Sequence, residues 1–377
     1  MYFHFFAALI GIYVALRLVP PLHWKTGLKW AAGTGIVLLS LYHLFVRIFF
    51  GNMASPELPT WLLILMGWLF SSLFLLAIFF LLRDLFSFVT LLWRKVRRTR
   101  KPPVSPNRIN AVLLVMAVVL SAVGVWQAVR VPDVKAVDIS VKGLPSEMDG
   151  LKVVQLSDLH ASRLLTGERN RAVVDRTNAL KPDLILITGD LVDGTVGNRV
   201  DDVAPFRDFK AKYGVFSIPG NHEYYSDYTG WMKAFDGLGL NMLKNAHVVV
   251  IVNDRPLVIA GMTDRVAPNF DMPEPDIRAA LSGAPEGAPV ILLAHQPRDA
   301  EKNAEAGVGL QLSGHTHGGQ IMGAHLIVKS FNEGFVSGLY DVGNMKLYVS
   351  NGTGLWNGFP LRLGRPAEIT EITLHGQ

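Results

Sequence analysis

Cysteine is missing from this 377-residue sequence. Its absence excludes disulfides, thiolate metal sites and a cysteine nucleophile. Acidic residues are also scarce in the first third, where residues 1–132 contain 13 Lys and Arg but only 2 Asp and Glu. Residues 133–377 contain 23 and 29, respectively, a net charge of −6. The basic pI of about 9.3 therefore belongs to the first part, and the acidic second part argues against nucleic acid as a partner.

Long apolar runs are confined to the first part, and they predict a transmembrane domain over residues 1–130. Because about 20 residues cross a bilayer, we place four spans at residues 2–19, 30–50, 61–82 and 109–129. The first run lacks a basic start and a small-residue cleavage site, which favours a retained span over a signal peptide. Residues 85–93 are again apolar, which favours a third helix that continues beyond its span.

Basic residues indicate the orientation of these spans. Residues 94–108, between spans three and four, carry seven of them, whereas the loop 51–60 has Glu57 and no Lys or Arg. The seven are Arg94, Lys95, Arg97, Arg98, Arg100, Lys101 and Arg108. Since basic loops stay in the cytoplasm, we expect a multi-pass protein of the plasma or inner membrane. Its C-terminal domain then lies outside the cytoplasm.

His43 and Arg47 lie four residues apart, on one face of the second span. Arg47 can extend its charge to the membrane surface along an apolar stem. Alternatively, the pair meets an anionic lipid headgroup, since polar residues within membrane spans are functional candidates. The sequence leaves both interpretations open.

Polar residues follow a series of short apolar runs in the second part. Residues 131–150 form a linker with one strand-like run, and five further runs cover residues 152–156, 183–188, 215–218, 290–293 and 308–312. Each run is followed by residues that can bind a metal: Asp158 and His160, Asp190, Asn221 and His222, His295, and His315 and His317. A helix-like stretch at 169–179 intervenes. Strands that end in polar residues, with helices between them, predict an α/β domain whose site lies at the strand ends.

Each motif alone is compatible with a helix cap, a turn or an ordinary polar strand end, but their joint occurrence favours a metal site. The order Asp-x-His, Gly-Asp, Gly-Asn-His-Glu, His and Gly-His-x-His, with the first three about 30 residues apart, resembles the calcineurin-like metallophosphoesterase superfamily. The match spans residues 151–374. The residues that flank the motifs resemble those of the membrane-linked branch of this superfamily, which includes eukaryotic transmembrane proteins and bacterial envelope phosphoesterases. The resemblance implies a four-layer αββα sandwich over residues 151–377.

The resemblance also implies a centre of two divalent metal ions. Asp158, His160 and His317 would bind the first ion, Asn221, His295 and His315 the second, and Asp190 would bridge them. Mixed nitrogen and oxygen ligands suit Mn, Zn, Fe or Co better than Mg or Ca. Such a centre would supply a bridging hydroxide that attacks a phosphoester. Its two metal ions would neutralise the negative charge on the phosphoryl oxygens.

His222 matches the histidine of the family that is not a ligand. The alkoxide leaving group needs a proton, and a histidine is a suitable donor near neutral pH. Glu223 stands where the family often has Asp, and either carboxylate could orient His222. Four neighbours are weaker candidates: Tyr224 and Tyr225 for a substrate pocket, and Arg163 and Gln320 for phosphate contacts.

These features predict a membrane-anchored phosphodiesterase or phosphatase that acts on a lipid-linked or cell-envelope substrate. One alternative is a pyrophosphatase of the type that cleaves UDP-diacylglucosamine, which requires a cytoplasmic site. Another is a non-catalytic scaffold or sensor, which would be expected to lose ligands, whereas this chain keeps all seven. The sequence does not distinguish a monoester from a diester, and it does not indicate the oligomeric state.

Overall fold

The computed structural model describes residues 2–51, 53, 55–97 and 106–376, so Arg98, Arg100 and Lys101 of the predicted basic loop lie outside the described residues. The chain forms two compact units. The first comprises Met1–Trp126 together with the short segment Asn357–Leu361, and the second comprises Gln127–Trp356 and Arg362–Gln377. We call them the helical unit and the sandwich unit.

The helical unit contains five helices among the described residues. They are α1 (Tyr2–Leu18), α2 (Thr26–Ser40), α3 (Tyr42–Phe50), α4 (Thr60–Arg97) and α5 (Pro106–Val129). Within the described ranges, Thr60–Val96 and Asn107–Val129 are long and apolar enough to cross a membrane. The pair α2 and α3 passes the same test only as one bent span, and α1 is a shorter apolar helix. The N-terminal region therefore has two to three candidate membrane spans.

The predicted second span is interrupted, and the predicted third span is extended. α2 ends at Ser40, and α3 continues at an angle of 55°. The Ser40 hydroxyl donates to the carbonyl of Val37 at 2.7 Å, a local bond that often bends helices. α4 runs for 38 residues, about 57 Å at the usual helical rise, against a hydrocarbon core of about 30 Å. The apolar residues 85–93 are part of this helix, as their composition predicted.

The segment Asn357–Leu361 packs among the helices of the first unit. The Gly358 carbonyl accepts a hydrogen bond from the Tyr42 hydroxyl at 3.4 Å and makes a short contact with Nε2 of His43. Phe359 meets Phe70 edge to face, with ring centroids 6.0 Å apart. His43 is consequently buried, whereas Arg47 is exposed. The two side chains occupy different environments, which disfavours a shared lipid headgroup.

The sandwich unit is built on two mixed sheets of five and six strands. The strands are β1 (Asp133–Val141), β2 (Leu151–Leu156), β3 (Leu184–Ile187), β4 (Val215–Ser217), β5 (Ala246–Val252), β6 (Arg255–Gly261), β7 (Val290–Leu293), β8 (Leu310–Ser313), β9 (Gly338–Val342), β10 (Met345–Val349) and β11 (Glu368–Gly376). The first sheet has the order β1-β11-β2-β3-β4, and the second has the order β5-β6-β7-β8-β10-β9. The predicted strand-like runs all correspond to strands. The run 290–293 coincides with β7, and the end points of the other runs differ by at most three residues.

Alternation along the strands explains why the sheets pack face to face. Val153 of β2 and Ile259 of β6 belong to one core cluster that draws residues from both sheets. The next residue along β2, Val154, belongs to a second cluster with Val173 and Trp231 from helices. Successive side chains of a strand point to opposite faces, so each sheet presents one face to the other sheet and one face to helices. A third cluster pairs the outer face of the second sheet with helices.

The helices of this unit are short. They are α6 (Gly167–Ala179), α7 (Val196–Val203), α8 (Asn221–Ser226), α9 (Tyr228–Gly237), α10 (Ile277–Leu281), α11 (Ala300–Glu305) and α12 (His325–Phe331). β2, β3 and β4 run parallel in the first sheet, as do β6, β7, β8 and β10 in the second. Parallel strands place their carboxyl ends at one edge. The loops after β2, β3, β4, β7 and β8 carry the predicted site residues.

Candidate metal centre

The turns that carry the predicted ligands have an unusual backbone. Five of the ligands adopt positive φ, a region that non-glycine residues rarely occupy. These are Asp158 (53°), His160 (46°), Asp190 (54°), His315 (67°) and His317 (49°). Asp and His tolerate this region better than most residues, and clustered strain of this kind is typical of functional sites. The sharp turns bring side chains from separate strands to one point.

Two glycines allow the loops to approach closely. A Cβ atom at Gly220 would lie 2.2 Å from Oδ1 of Asp190, and one at Gly314 would lie 1.9 Å from Oγ of Ser157. Both distances are far shorter than van der Waals contact. Glycine is therefore required at these positions, since any side chain would push the neighbouring loop away.

The first group of side chains that could hold a metal contains Asp158, His160 and His317. All three are buried, and one donor atom of each lies within 4.8 Å of the others. Nε2 of His317 lies 3.5 Å from Oδ1 of Asp158. Asp158 is fixed by the Ser157 hydroxyl, which donates to Oδ2 at 2.6 Å, and by the backbone N–H of His315 at 3.1 Å. The group draws its ligands from the ends of β2 and β8.

The second group contains Asp190, His295 and His315, again with donor atoms within 4.8 Å. Oδ1 of Asn221 joins it, at 3.0 Å from Nε2 of His295 and 2.9 Å from Nδ1 of His315. The other ring nitrogen of His295 lies 2.7 Å from the carbonyl of Thr188. That carbonyl can only accept, so Nδ1 carries a proton in either charge state. The carboxylate of Asp190 raises the pKa of His295 well above its usual value although burial opposes this, so Nε2, which faces the group, becomes a ligand once it gives up its own proton.

Asp190 stands between the two groups. Its Oδ2 lies 3.2 Å from Nε2 of His295 and 3.7 Å from Nε2 of His160. Its Oδ1 accepts the backbone N–H of His222 at 2.8 Å. Nε2 of His160 is fully buried and has no hydrogen-bond partner among the described residues. A buried polar atom without a partner is costly, and a cation at this point would satisfy it. The donor set therefore fits two cations that share one carboxylate.

Asp193 is a buried residue that the sequence reasoning missed. Its Oδ1 lies 3.1 Å from Nδ1 of His160 and 2.5 Å from Nδ1 of His222. A carboxylate behind a histidine ligand fixes the tautomer and ring orientation. Asp193 thus orients one predicted ligand and the predicted proton donor together. The available signal was its position three residues after Asp190, in Gly-Asp-Leu-Val-Asp.

His222 is polarised by its neighbours. Burial by itself would lower the pKa of this imidazole, but the carboxylates of Asp190 and Asp193 raise the pKa of His222 to about 9. The same ion pair holds the pKa of Asp193 below its usual range although burial opposes this. His222 is thus protonated at neutral pH, as a proton donor must be.

Glu223 has a different role from the one expected. Its carboxylate accepts four backbone N–H groups, those of Asp190, Leu191, Val192 and Gly220, at 2.7–3.2 Å. Burial, followed by the charge of Asp190, raises the pKa of Glu223 to about 7. Glu223 therefore ties the loop after β3 to the loop after β4, while Asp193 is the carboxylate that contacts His222.

His315 and His317 are poised as neutral imidazoles. Burial, together with the charge on His295, lowers the pKa of His315 to about 4. Burial and the neighbouring His160 and Arg362 lower the pKa of His317 well below its usual value. Only a neutral imidazole can donate a lone pair to a metal, so both residues are in the form that binds.

Arg362 is a second residue that the sequence reasoning left without a role. It is 1% exposed, and its guanidinium donates to the carbonyls of His317, Asn351 and Gly354 at 2.7–3.2 Å. Gly354 in turn donates its N–H to the carbonyl of Asp158 at 2.8 Å. Arg362 therefore supports the backbone behind the first group.

The weaker candidates divide. Tyr224 is buried, and its ring stacks on Tyr228 with centroids 4.2 Å apart, as expected for a packing residue. Tyr225 is 55% exposed and lies 5.4 Å from the ring of His222, a position that fits contact with substrate. Arg163 is exposed, and its charge acts on Asp202. Gln320 is half-buried, and its backbone N–H donates to the carbonyl of His317 at 3.1 Å.

Comparison with known proteins agrees with this geometry. The family model of the calcineurin-like phosphoesterases matches residues 151–319. A transmembrane protein with metallophosphoesterase domain from Bos taurus is 35% identical over 302 residues, covering 75% of this chain and 67% of that protein. The protein of the same name from Danio rerio is 34% identical, covering 71% and 63%. An uncharacterized metallophosphoesterase from Campylobacter jejuni is 34% identical, covering 70% and 69%.

The chain thus spans about two thirds of the length of these relatives. The residues that the family model matches include the strand ends that carry Asp158, Asp190, His222, His295 and His317. The predicted family and the predicted α/β sandwich are confirmed, whereas the four predicted membrane spans are two to three candidates among the described residues. The chain belongs to the calcineurin-like metallophosphoesterases, with an N-terminal region of apolar helices and metal-binding clusters of His and Asp.

Proposed function

We propose that this protein is a membrane-anchored phosphoesterase with a centre of two metal ions, and that it hydrolyses a phosphodiester or phosphomonoester. One observation carries the proposal. Oδ2 of Asp190 lies within 3.2–3.7 Å of imidazole nitrogens from both groups, the arrangement that a shared bridging carboxylate requires. Asp158, His160 and His317 serve one ion, and Asn221, His295 and His315 serve the other.

The chain's own residues then divide the work. Two bound divalent ions would lower the pKa of a water molecule and neutralise charge on the phosphoryl oxygens. His222 donates its proton to the leaving oxygen, and Asp193 holds the ring and stabilises its cationic form. Glu223 and Arg362 keep the loops in register. Tyr225, exposed next to His222, supplies an aromatic wall for the substrate.

An exposed apolar patch near the ligand turns supports an amphiphilic substrate. Met322, Leu326, Ile327 and Phe331, on and just before α12, are each 65–70% exposed. They lie 5 to 14 residues after the ligand His317 in the chain, and a Cβ at Gly319 would lie 2.4 Å from the Cα of His325. Clustered apolar exposure marks a lipid or partner surface. The substrate that we propose therefore carries acyl chains, as a lipid-linked or cell-envelope phosphoester does.

The distribution of basic residues supports one orientation of the protein in the membrane. Arg94 and Lys95 lie in the last turn of α4, and Arg108 lies in the first turn of α5, so the connection between these helices is basic. We propose that it is cytoplasmic and that the sandwich unit, which follows α5, lies outside the cytoplasm. An active alkaline phosphatase fusion at the C-terminus supports this orientation, and a fusion that is active only as a cytoplasmic reporter contradicts it.

A hydrolysis screen tests the activity. The purified full-length protein, stripped with a chelator, is loaded with Mn, Zn or Mg and offered bis-p-nitrophenyl phosphate, p-nitrophenyl phosphate and a panel of phospholipids. We expect turnover that depends on metal and disappears in Asp190→Asn. No metal-dependent turnover of any substrate would favour the scaffold interpretation.

A paired variant tests the lipid preference. Leu326→Ser combined with Ile327→Ser should slow hydrolysis of phospholipid in vesicles several-fold and leave hydrolysis of p-nitrophenyl esters unchanged. Ile251→Ser, at a residue with 57% exposure on β5, is the matched control. Equal loss on both substrate classes would point to damage at the centre instead.

A further inference from the structure

The helical unit contains a cavity of about 1200 Å³ that none of the predicted functions uses. It lies between the end of α1, the second half of α4 and the start of α5, and all its lining residues belong to the described part of the chain. Its polar lining includes Arg17, Arg83, Asp84 and Arg94, and its apolar lining includes Phe86 and Leu91. We call it the arginine cavity.

The position of the cavity along α4 corresponds to a membrane surface. From Thr60 to Arg83 the helix rises about 35 Å at the usual rise per residue, slightly more than the hydrocarbon core of about 30 Å. A helix of 38 residues is accommodated by tilting, so that Phe86 and Leu91 lie beside the acyl chains and the end of α4 reaches the headgroup layer. Arg94 and Lys95 follow, as expected for residues at a cytoplasmic surface.

The charges of the cavity do not cancel. Asp84 is the one acid among its lining residues, and it pairs with Arg17 at 2.7 Å and with Arg83 at 2.7 Å. Tyr13 also donates to this carboxylate, at 2.8 Å. Three arginines against one aspartate leave the lining with a net charge of +2. The Arg17 side chain is 49% exposed, so its guanidinium is accessible to an anion.

The remaining wall is strongly apolar. Phe86 is 70% exposed, Phe88 57% and Leu91 57%, and all three line the cavity. Apolar surface of this extent at a membrane is covered by acyl chains. The cavity thus presents cationic side chains next to an apolar surface. This arrangement is complementary to a lipid with an anionic headgroup and two acyl chains.

We propose that the arginine cavity binds an anionic glycerophospholipid, with its phosphate on Arg94, its acyl chains along Leu91 and Phe86, and Arg17 adding to the positive charge that attracts it. The lipid would stabilise the packing of α1, α4 and α5. This site is separate from the residues of the metal centre, so the proposal stands or fails independently of the hydrolytic function.

Native mass spectrometry of the full-length protein in detergent tests the proposal. The protein is titrated with phosphatidylglycerol and, separately, with phosphatidylcholine of the same acyl chains. We expect tighter binding of phosphatidylglycerol. Arg17→Gln and Arg94→Gln should each weaken the binding of phosphatidylglycerol about fivefold, the usual contribution of one basic residue at a membrane surface. Neither substitution should change the affinity for phosphatidylcholine. Lys95→Gln is the matched control, because Lys95 is exposed on the same helix but does not line the cavity.

Three outcomes would overturn the proposal. Equal binding of the two lipids would remove the anionic preference, and an equal loss in Lys95→Gln would reduce it to general surface charge. A dimer mass that excludes lipid would show that a second copy of the chain covers α4. Hydrolysis of p-nitrophenyl esters, measured on the same samples, verifies that the variants fold, because no substituted residue belongs to the metal centre.

Discussion

The two groups of metal-binding side chains differ in charge and in what stands behind them. The first group has a carboxylate of its own, Asp158, besides the shared Asp190, whereas the second has the neutral amide of Asn221 in the corresponding place. Behind the first group, Asp193 contacts both His160 and His222. Behind the second, His295 leans on the backbone carbonyl of Thr188.

This difference has two consequences. The first group should bind a divalent cation more tightly, because it carries one more negative charge at ligand distance. It is also coupled to the proton donor through Asp193, so that metal binding and proton transfer depend on one carboxylate. The second group is held by amide and backbone contacts and lacks such a link among the described residues.

Removing the shared carboxylate of Asp190 should abolish metal binding by both groups. Asp190→Asn takes away the charge that both groups use, and we expect loss of both ions and of turnover by at least about 10³-fold. Metal content by mass spectrometry and hydrolysis of bis-p-nitrophenyl phosphate measure this. Asp175→Asn, at an exposed carboxylate on α6, is the control. Two retained metal ions in Asp190→Asn would contradict the bridging role.

Removing the proton donor should separate chemistry from metal binding. His222→Ala should keep both ions and lose about 10²–10⁴-fold in kcat, the usual contribution of a general acid. His375→Ala is the control, because it removes the imidazole of a half-exposed histidine on β11 that belongs to neither metal group. Turnover at the parental rate would refute the proton-donor role.

Removing Asp193 should affect the first group only. Asp193→Asn should weaken the tighter metal site about 10–100-fold, the usual effect behind a histidine ligand. It should also change the pH profile. The carboxylate helps to raise the pKa of His222 to about 9, so its loss lowers that pKa, and the alkaline limb of kcat moves to lower pH. If the alkaline limb of the pH profile of kcat did not move, Asp193 would not control the pKa of His222.

Equalising the two groups should have the smallest effect. Asn221→Asp gives the second group its own carboxylate, and we expect its metal affinity to rise about tenfold. An attraction of about 4 kcal/mol, expected for unit charges 4 Å apart at an effective dielectric of 20, is largely offset by the cost of burying the charge. Titration of the second ion measures this. An affinity that falls would mean that geometry outweighs charge at Asn221.

Much of the centre could be predicted from sequence because the ligands follow short apolar strands. Asp158, Asp190 and His295 each stand two or three residues after a strand end, and parallel strands gather such positions at one edge. The family resemblance added the division into two groups. The structure brings all seven predicted ligands together in two adjoining groups.

Residues that act through tight turns could not be predicted in the same way. Asp193 reaches two histidines only because the loop after β3 turns at Asp190, with φ of 54°. Glu223 binds four N–H groups of two loops, which no local pattern reveals. The break at Ser40 and the inclusion of Asn357–Leu361 in the helical unit also depend on packing between distant segments.

A calorimetric titration of the metal-free full-length protein with Mn²⁺ tests the central claim most directly. We predict two ions per chain in two resolved steps, with Asp158→Asn weakening the tighter step and leaving the weaker one. A single ion per chain, two indistinguishable steps, or a loss confined to the weaker step in Asp158→Asn would contradict the account of two unequal groups that share Asp190.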